Sequence, residues 1–306
     1  GRIGLQGRWP GFVRTGMALV PHFPPRHLAE LDAFAKAAGL ERRELIGINT
    51  MVDMYRGGFG CSSLIVAPKR SKTGGALFGR NLDFFTLGKL QKYSLVIVCR
   101  PEGRHAFASI GFPGFFGCLT GMNDAGLAVA VHEVYLSRDG SSIFNSEGTP
   151  YILAFRRILE ECTTVEQAHK MLRSIKRTTK LNLAVCDRRG GGVLEMTPRT
   201  VVFRREEDGV CACTNHFRTE ALKVRPRCPR YDKLLEAKAI AEIGLGDVAG
   251  KLHEVNQGRL TLQTMVFEPG PLRLHLAIGS CPSSALPLKR LELAPLLGVK
   301  EPAPAK

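Results

Sequence analysis

Cys61 follows a glycine-rich stretch, Gly57-Gly58-Phe59-Gly60, and precedes the apolar run Ser62 to Val66; beyond a glycine pair at 74–75 come Arg80, Asn81, Leu82 and Asp83. A thiol is a weak nucleophile until its thiolate fraction rises, and a histidine is the usual base. His105, His132, His216, His253 and His275 are candidates, and no motif ties any of them to Cys61. Scission of the Gly60–Cys61 peptide bond offers another base. It frees the α-amine of Cys61, whose unperturbed pKa of about 7.7–8.0 suits proton transfer near neutrality. The thiol would attack the Gly60 carbonyl, and a glycine there tolerates strained backbone and presents no side chain. A hairpin returning along 76–81 would bring Arg80 and Asp83 beside Cys61, the guanidinium to favour thiolate and the carboxylate to orient the amine. Without that hairpin, the two form an ordinary surface ion pair.

The elements that would position these groups are legible from periodicity. Residues 1–25, rich in Gly, Pro and Arg, predict an irregular lead-in. Leu28, Leu31, Phe34 and Ala38, then Leu45, Ile48 and Met51, recur at helical steps on either side of Gly39. Strands are predicted at 62–68 and 76–81 around the loop 69–75, at 93–100 and 104–110, and at 119–120 and 126–134. Helices follow at 150–161 and 165–175, the second capped by Thr163-Thr164. Strands return at 181–186 and 193–196 around the turn 187–192, then at 200–204 and 209–214. A helix at 230–243 and strands at 264–268 and 272–278 complete the pattern. Hairpins imply antiparallel sheet, and helices between sets of strands imply layers, two sheets face to face with helices outside. Gly190-Gly191-Gly192 lacks the downstream lysine of a phosphate loop.

The chain has 306 residues, 44% hydrophobic and 23% charged, with a net charge of +15. It has no apolar run of about 18 residues, so no transmembrane helix is expected. The basic residues are dispersed and accompany no nucleic-acid motif, so no specific nucleic-acid partner is expected. Nine irregularly spaced cysteines are not a disulfide framework. They point to a reducing setting and favour the cytoplasm, with a removed leader left open by the start at Gly1. Cys211 and Cys213, with His216 and Cys228, lack the usual zinc-knuckle spacing and read as same-face strand residues. Neither a metal nor an organic cofactor is expected.

Gly60-Cys61-Ser62-Ser63 followed by Gly79-Arg80-Asn81-Leu82-Asp83 resembles the start of the mature chain in N-terminal-nucleophile (Ntn) amidases. These include choloylglycine hydrolase, penicillin V acylase and acid ceramidase relatives. Residues 120–129 (TGMNDAGLAV), 194–198 (LEMTP), 214–217 (TNHF) and 228–231 (CPRY) arrive in the order of the acyl-coenzyme A:6-aminopenicillanate acyltransferase-like family, over about 26–290. The resemblance implies an α+β, four-layer αββα sandwich of two antiparallel sheets. It implies a self-cleaving precursor divided into an α fragment, 1–60, and a catalytic β fragment, 61–306, that stay together. Cys61 matches the nucleophile, and Arg80 and Asp83 the pair that steadies its thiol and amine. Asn215 matches the oxyanion donor and Arg230 a supporting buried arginine. Glu133 falls where relatives place a second oxyanion or processing residue.

The leading expectation is therefore a cysteine amidohydrolase or acyltransferase acting on linear amide or thioester bonds of a small acyl substrate. One alternative is a conventional hydrolase pairing Cys61 or Cys118 with His132 or His216, and another is a non-catalytic basic binding protein. The acyl group, the amine and the oligomeric state are open from sequence. Phe112, Phe115 and Phe116 line an acyl pocket or simply pack a loop.

Overall fold

The computed structural model describes residues 2–55, 59–85, 89–224 and 227–299. Helices α1 (Arg2–Leu19), α2 (Pro25–Ala38) and α3 (Arg42–Met54) precede strands β1 (Phe59–Val66), β2 (Leu77–Phe84), β3 (Leu95–Cys99), β4 (Phe107–Gly111), β5 (Thr120–Asn123) and β6 (Ala128–Glu133). Helices α4 (Tyr151–Glu161) and α5 (Val165–Ser174) follow, then β7 (Leu181–Asp187), β8 (Gly190–Met196), β9 (Val201–Arg205) and β10 (Val210–Cys213). The chain continues through α6 (Pro229–Leu235), α7 (Leu245–Glu254), β11 (Thr261–Glu268), β12 (Arg273–Ile278), β13 (Lys289–Glu292) and α8 (Leu293–Leu296).

Two antiparallel sheets face each other. One runs β10-β1-β2-β11-β12-β13 and the other β3-β4-β5-β6-β7-β8-β9. Helices α6 and α7 cover the first sheet, α4 and α5 the second, and β1 and β10 pack across the interior onto β6 and β8. This is the expected α+β, four-layer αββα arrangement. The interior works by size complementarity. Phe78, Met265 and Phe267 from the first sheet fill the space left by Ala108, Ala128, Ala130 and Ala184 on the second. Large side chains facing small ones let the two layers interdigitate without voids, and full burial of each phenylalanine contributes about 2–3 kcal/mol.

Helices α2 and α3, split at Gly39 with φ +64°, match their periodicity. The lead-in does not match the expectation, for α1 is a helix that includes Pro10. Gly16 in α1 and Gly47 in α3 are the contact points between the two helices. A Cβ on Gly16 would lie 2.3 Å from Thr50 Oγ1, and one on Gly47 3.3 Å from the Trp9 ring. Each glycine thus makes room for a side chain of the other helix, and tertiary packing overrides the weak intrinsic propensity. All three helices join the core that holds Leu82, Tyr151 and Ile152. They are tied to it by the buried pair His27–Glu160 (2.9 Å), by Arg26–Glu160, and by the Tyr151 N–H donating to Asp53 Oδ1 (3.0 Å).

Other departures have local causes. The turn between β7 and β8 is only Arg188-Arg189, and Gly190–Gly192 belong to β8. A Cβ on Gly191 would strike Val185 O at 2.0 Å, and one on Gly192 would strike Arg204 O at 2.3 Å. Gly191 and Gly192 therefore admit neighbouring backbone, while Gly190, at φ +117°, leads the chain out of the turn. Strands β9 and β10 lie in different sheets, so the residues between them carry the chain across the sandwich. The expected helix at 230–243 stops at Leu235, and α7 starts anew beyond Gly244, whose N–H donates to Asp247 Oδ2 (2.8 Å). Val248 and Leu252, four residues apart, bury the inner face of α7. Thr164 caps α5 as expected, accepting from the Gln167 N–H at 3.2 Å. All nine cysteines are free, and no described helix is long and apolar enough to cross a membrane.

Candidate active site

The β1–β2 hairpin forms, with Cys61 inside β1. Register sets Cys61 opposite Leu82, Asp83 opposite Gly60, and Arg80 opposite Ser63. Side chains alternate across a strand. Asn81 reaches α7, its Nδ2 donating to Leu252 O at 2.7 Å, so Asp83, two residues on, shares that helix-facing side. Arg80 and the Cys61 thiol face the second sheet. The arginine and the aspartate thus flank residue 61 from opposite faces. Gly57 and Gly58, which open the expected glycine turn, lie outside the described residues. Gly60 does not need its conformational freedom, because it is extended within β1.

The edge of β1 beyond the end of β10 carries the rest of the cluster. The Cys61 N–H donates to Asn215 Oδ1 (2.8 Å). Arg230, in the first turn of α6, donates through Nη1 to Cys61 O (2.8 Å) and through Nη2 to Asn215 Oδ1 (2.9 Å). Its Nη1 is 4.0 Å from Asp83 Oδ2. Asn215 Nδ2 donates to the backbone oxygen of Glu133 (2.9 Å). In this arrangement Asn215 therefore offers Cys61 its carbonyl, and one of its two amide hydrogens is committed to Glu133. Glu133 meets the cluster through its main chain. Asn182 Nδ2 donates to the carbonyls of Thr214 and His216, 3.0 Å each, and so pins the segment on both sides of Asn215.

Asp83 is fully buried. Its Oδ1 accepts from Thr261 Oγ1 (2.6 Å) and its Oδ2 from Gln257 Nε2 (2.6 Å). Burial pushes its carboxyl upward, while Thr261, Gln257, Arg230 and Arg80 pull it back. The Cys61 thiol is likewise pushed up by burial; the Arg80 charge draws it down, the Asp83 charge raises it, and the Asp83 backbone N–H and Arg230 lower it. The Arg80 guanidinium is fully buried, and its nitrogens have no hydrogen-bond partner among the described residues. Among the described residues no carboxylate forms an ion pair with it, and its charge acts on the neighbouring thiol as well as on Asp83. Sequence reasoning missed Gln257, Thr261 and Asn182. The first two belong to a turn more than 170 residues from Asp83 along the chain, and no local pattern marks them.

His216 hydrogen-bonds the Cys228 thiol. Burial pushes that thiol up, but His216, Thr214, the Tyr231 backbone and Arg230 more than offset it, bringing it down to about 6. Cys118, the other proposed nucleophile, is fully buried and pushed up to about 12 by desolvation. Cys211 and Cys213 sit in the core between the sheets, and the described residues contain no group of three or more His, Cys, Asp or Glu able to hold a metal. A cavity of about 100 Å³ opens beside Asn215 and His216, walled by Val134, Tyr135, Leu136, Phe217 and Val224. Phe115 and Phe116 line a different cavity of about 220 Å³, with Phe34, Cys99 and Arg156, away from the cluster. Phe116 packs edge-on to Phe34 at 5.1 Å, so this loop supports α2.

A cysteine on a strand of a two-sheet sandwich, framed by Asn215, Arg230 and Asp83, agrees with the family suggested by sequence. A model of the acyl-coenzyme A:6-aminopenicillanic acid acyl-transferase family matches residues 70–280. The chain belongs to this family. A relative, the 40 kDa form of acyl-coenzyme A:6-aminopenicillanic-acid-acyltransferase from Emericella nidulans, is 31% identical over 48% of the chain and 39% of its own length. A Dictyostelium discoideum protein, dcd1A, is 24% identical over 51% of the chain and 36% of its own length. The chain thus matches well under half the length of these relatives. Among solved structures, a Caenorhabditis elegans N-acylethanolamine-hydrolyzing acid amidase ortholog superposes with a TM-score of 0.54 at 18% identity, covering 69% of this chain and 93% of that one. A conjugated bile acid hydrolase from Clostridium perfringens gives 0.54 at 16% identity, covering 78% and 95%. These two likenesses establish the Ntn-hydrolase fold of this family member.

Proposed function

We propose that the chain is a self-processing N-terminal cysteine amidohydrolase or acyltransferase. The observation that carries the reading is the cluster on residue 61: its N–H on Asn215, its C=O on Arg230, and Asp83 opposite Gly60. In processing, Cys61 Sγ attacks the Gly60 carbonyl carbon. The C–N bond breaks as the C–S bond forms, and the thiol proton ends on the departing Cys61 nitrogen. Water then hydrolyses the thioester, giving a Gly60 carboxylate and a free thiol. Arg80 stabilises the developing thiolate, and the Asn215 carboxamide is the side-chain donor to the tetrahedral oxyanion. One such donor lowers the barrier by about 3 kcal/mol. Cys61 is wholly buried in the uncut strand, so withdrawal of the Gly60 end is what opens the thiol to substrate.

The new α-amine keeps the position of the Cys61 N–H, held by Asn215 Oδ1, and serves as base for its own thiol. Turnover is ping-pong: the acyl group of an amide or thioester passes to Sγ, the amine or thiol leaves, and water or an amine acceptor resolves the acyl-enzyme. The relatives' names share acyl transfer or hydrolysis at such carbonyls. The 1–60 segment stays bound through the α2–α4 ion pairs and the shared core. Intact mass and N-terminal sequencing of purified protein test the reading. Two fragments, the larger starting at Cys61, are expected, and Cys61→Ala must abolish them. An unbroken chain that hydrolyses acyl amides at full rate refutes it.

A further inference from the structure

We infer that Gln257 is a positioning residue that couples the identity of residue 60 to the catalytic carboxylate; the inference rests on the self-processing reading above. Gln257 follows α7, and its backbone N–H donates to Thr261 Oγ1 at 2.8 Å. The Thr261 hydroxyl donates to Asp83 Oδ1 and the Gln257 carboxamide to Oδ2, both at 2.6 Å. One turn therefore holds both oxygens of a buried carboxylate. The same carboxamide lies against the Cα of Gly60. A Cβ built there would come within 2.0 Å of Gln257 Nε2 and 2.9 Å of its Cδ.

Any side chain at residue 60 must push the carboxamide away. Because the obstructing atoms are the end of a flexible side chain, the fold survives. What is lost is the bond from Gln257 to Asp83, and with it the alignment of the carboxylate beside the scissile peptide. Gly60 is thus required for space, since its backbone is ordinary extended strand. Gln257 is the residue that imposes the requirement, and the price of relaxing it falls on Asp83. Two readouts follow from this coupling. Enlarging residue 60 and shrinking residue 257 compensate each other, and the charge of residue 257 shifts the titration of Asp83.

The test measures loss of uncut chain after pulsed cell-free translation, for wild type, Gly60→Ala, Gln257→Ala and the double variant. Loss of one positioned donor slows cutting by about tenfold, and misplacing the carboxylate by about 1 Å slows it by about a hundredfold. The expected order is Gln257→Ala about tenfold slow, Gly60→Ala about a hundredfold slow, and the double variant back at the Gln257→Ala rate. A double variant no faster than Gly60→Ala overturns the inference and leaves self-processing intact. A wild-type chain that never cuts removes the processing reading, and the inference with it. Gln257→Glu keeps the shape and so the packing, but sets a carboxylate against Asp83. It should cut slowly at pH 8 and recover toward pH 5.5 as the pair takes up a proton. Wild-type rates at every pH in Gln257→Glu would show a mere space-filler and also overturn the proposal.

Discussion

Replacing Arg230 with lysine tests how the cluster is assembled. The guanidinium makes two bonds in different directions, to Cys61 O and to Asn215 Oδ1, at 2.8 and 2.9 Å, and stands 4.0 Å from Asp83 Oδ2. An ammonium is a point charge without the planar fork, so Arg230→Lys keeps the charge and loses at least one bond. A charge-assisted bond contributes about 2 kcal/mol net, and at 1.36 kcal/mol per decade one lost bond slows a step that depends on it by about 30-fold. Arg230→Met loses both bonds, and the loss approaches a thousandfold if the two add. The methionine variant also removes a cation that lowers the Asp83 carboxyl. The carboxyl then titrates higher, and the acid limb of activity moves to higher pH. The assay is a time course of intact mass for precursor cutting, with acyl-amide hydrolysis for turnover, each against pH. Cutting and turnover at wild-type rates in Arg230→Lys would refute the reasoning, because the two directed bonds would then do nothing that a bare charge cannot.

Further outcomes follow from burial and packing. Gly16→Val should lower the urea midpoint by an amount equal to about 1–3 kcal/mol, the usual cost of overpacking, because its first carbon already meets Thr50 Oγ1; an unchanged midpoint would contradict the close α1–α3 contact. Burial lowers His27 and His132 from their ordinary value, with Glu160 only partly restoring His27. The unfolded chain therefore binds more protons below about pH 6.5, and stability is full above that value and falls as pH drops through it, by up to about 1.4 kcal/mol per pH unit for each histidine. His132→Gln should flatten the pH 5–6.5 slope in denaturant titrations, and a flat wild-type profile would exclude the buried neutral imidazoles. Cys228, brought to about 6 by His216 and its other neighbours against the effect of burial, should be alkylated by iodoacetamide at pH 7 ahead of Cys118 and Cys61 in uncut Cys61-containing chain; peptide mapping reads the order, and His216→Ala should slow it.

Much of this protein is written locally. The β1–β2 hairpin, the α2–α3 break at Gly39 and the capped α5 each depend on neighbours a few residues apart, so periodicity and turn residues suffice to place them. The placement of the candidate residues on that hairpin was legible for the same reason: a two-strand register set by the loop at 67–76 puts Arg80 and Asp83 within two residues of Leu82, the position facing Cys61. Ordered short motifs also reached Asn215 and Arg230, although nothing in their spacing says that both meet residue 61.

What the sequence by itself determined, then, is the alternation of strands and helices, the family, and a hairpin that sets a candidate nucleophile beside its nearest strand neighbours. The tertiary structure alone decided which face each of those neighbours serves, that β9 and β10 part into separate sheets, that Gly16 makes room for Thr50, and that Gly191 and Gly192 admit neighbouring backbone. It alone brought Gln257 and Thr261 onto Asp83, and Asn182 under Asn215. The physical reason is the range of the interactions. Propensity and turn chemistry act over a few bonds, whereas a buried carboxylate or amide must find a partner wherever the packed chain supplies one, and here those partners lie between 30 and 180 residues away.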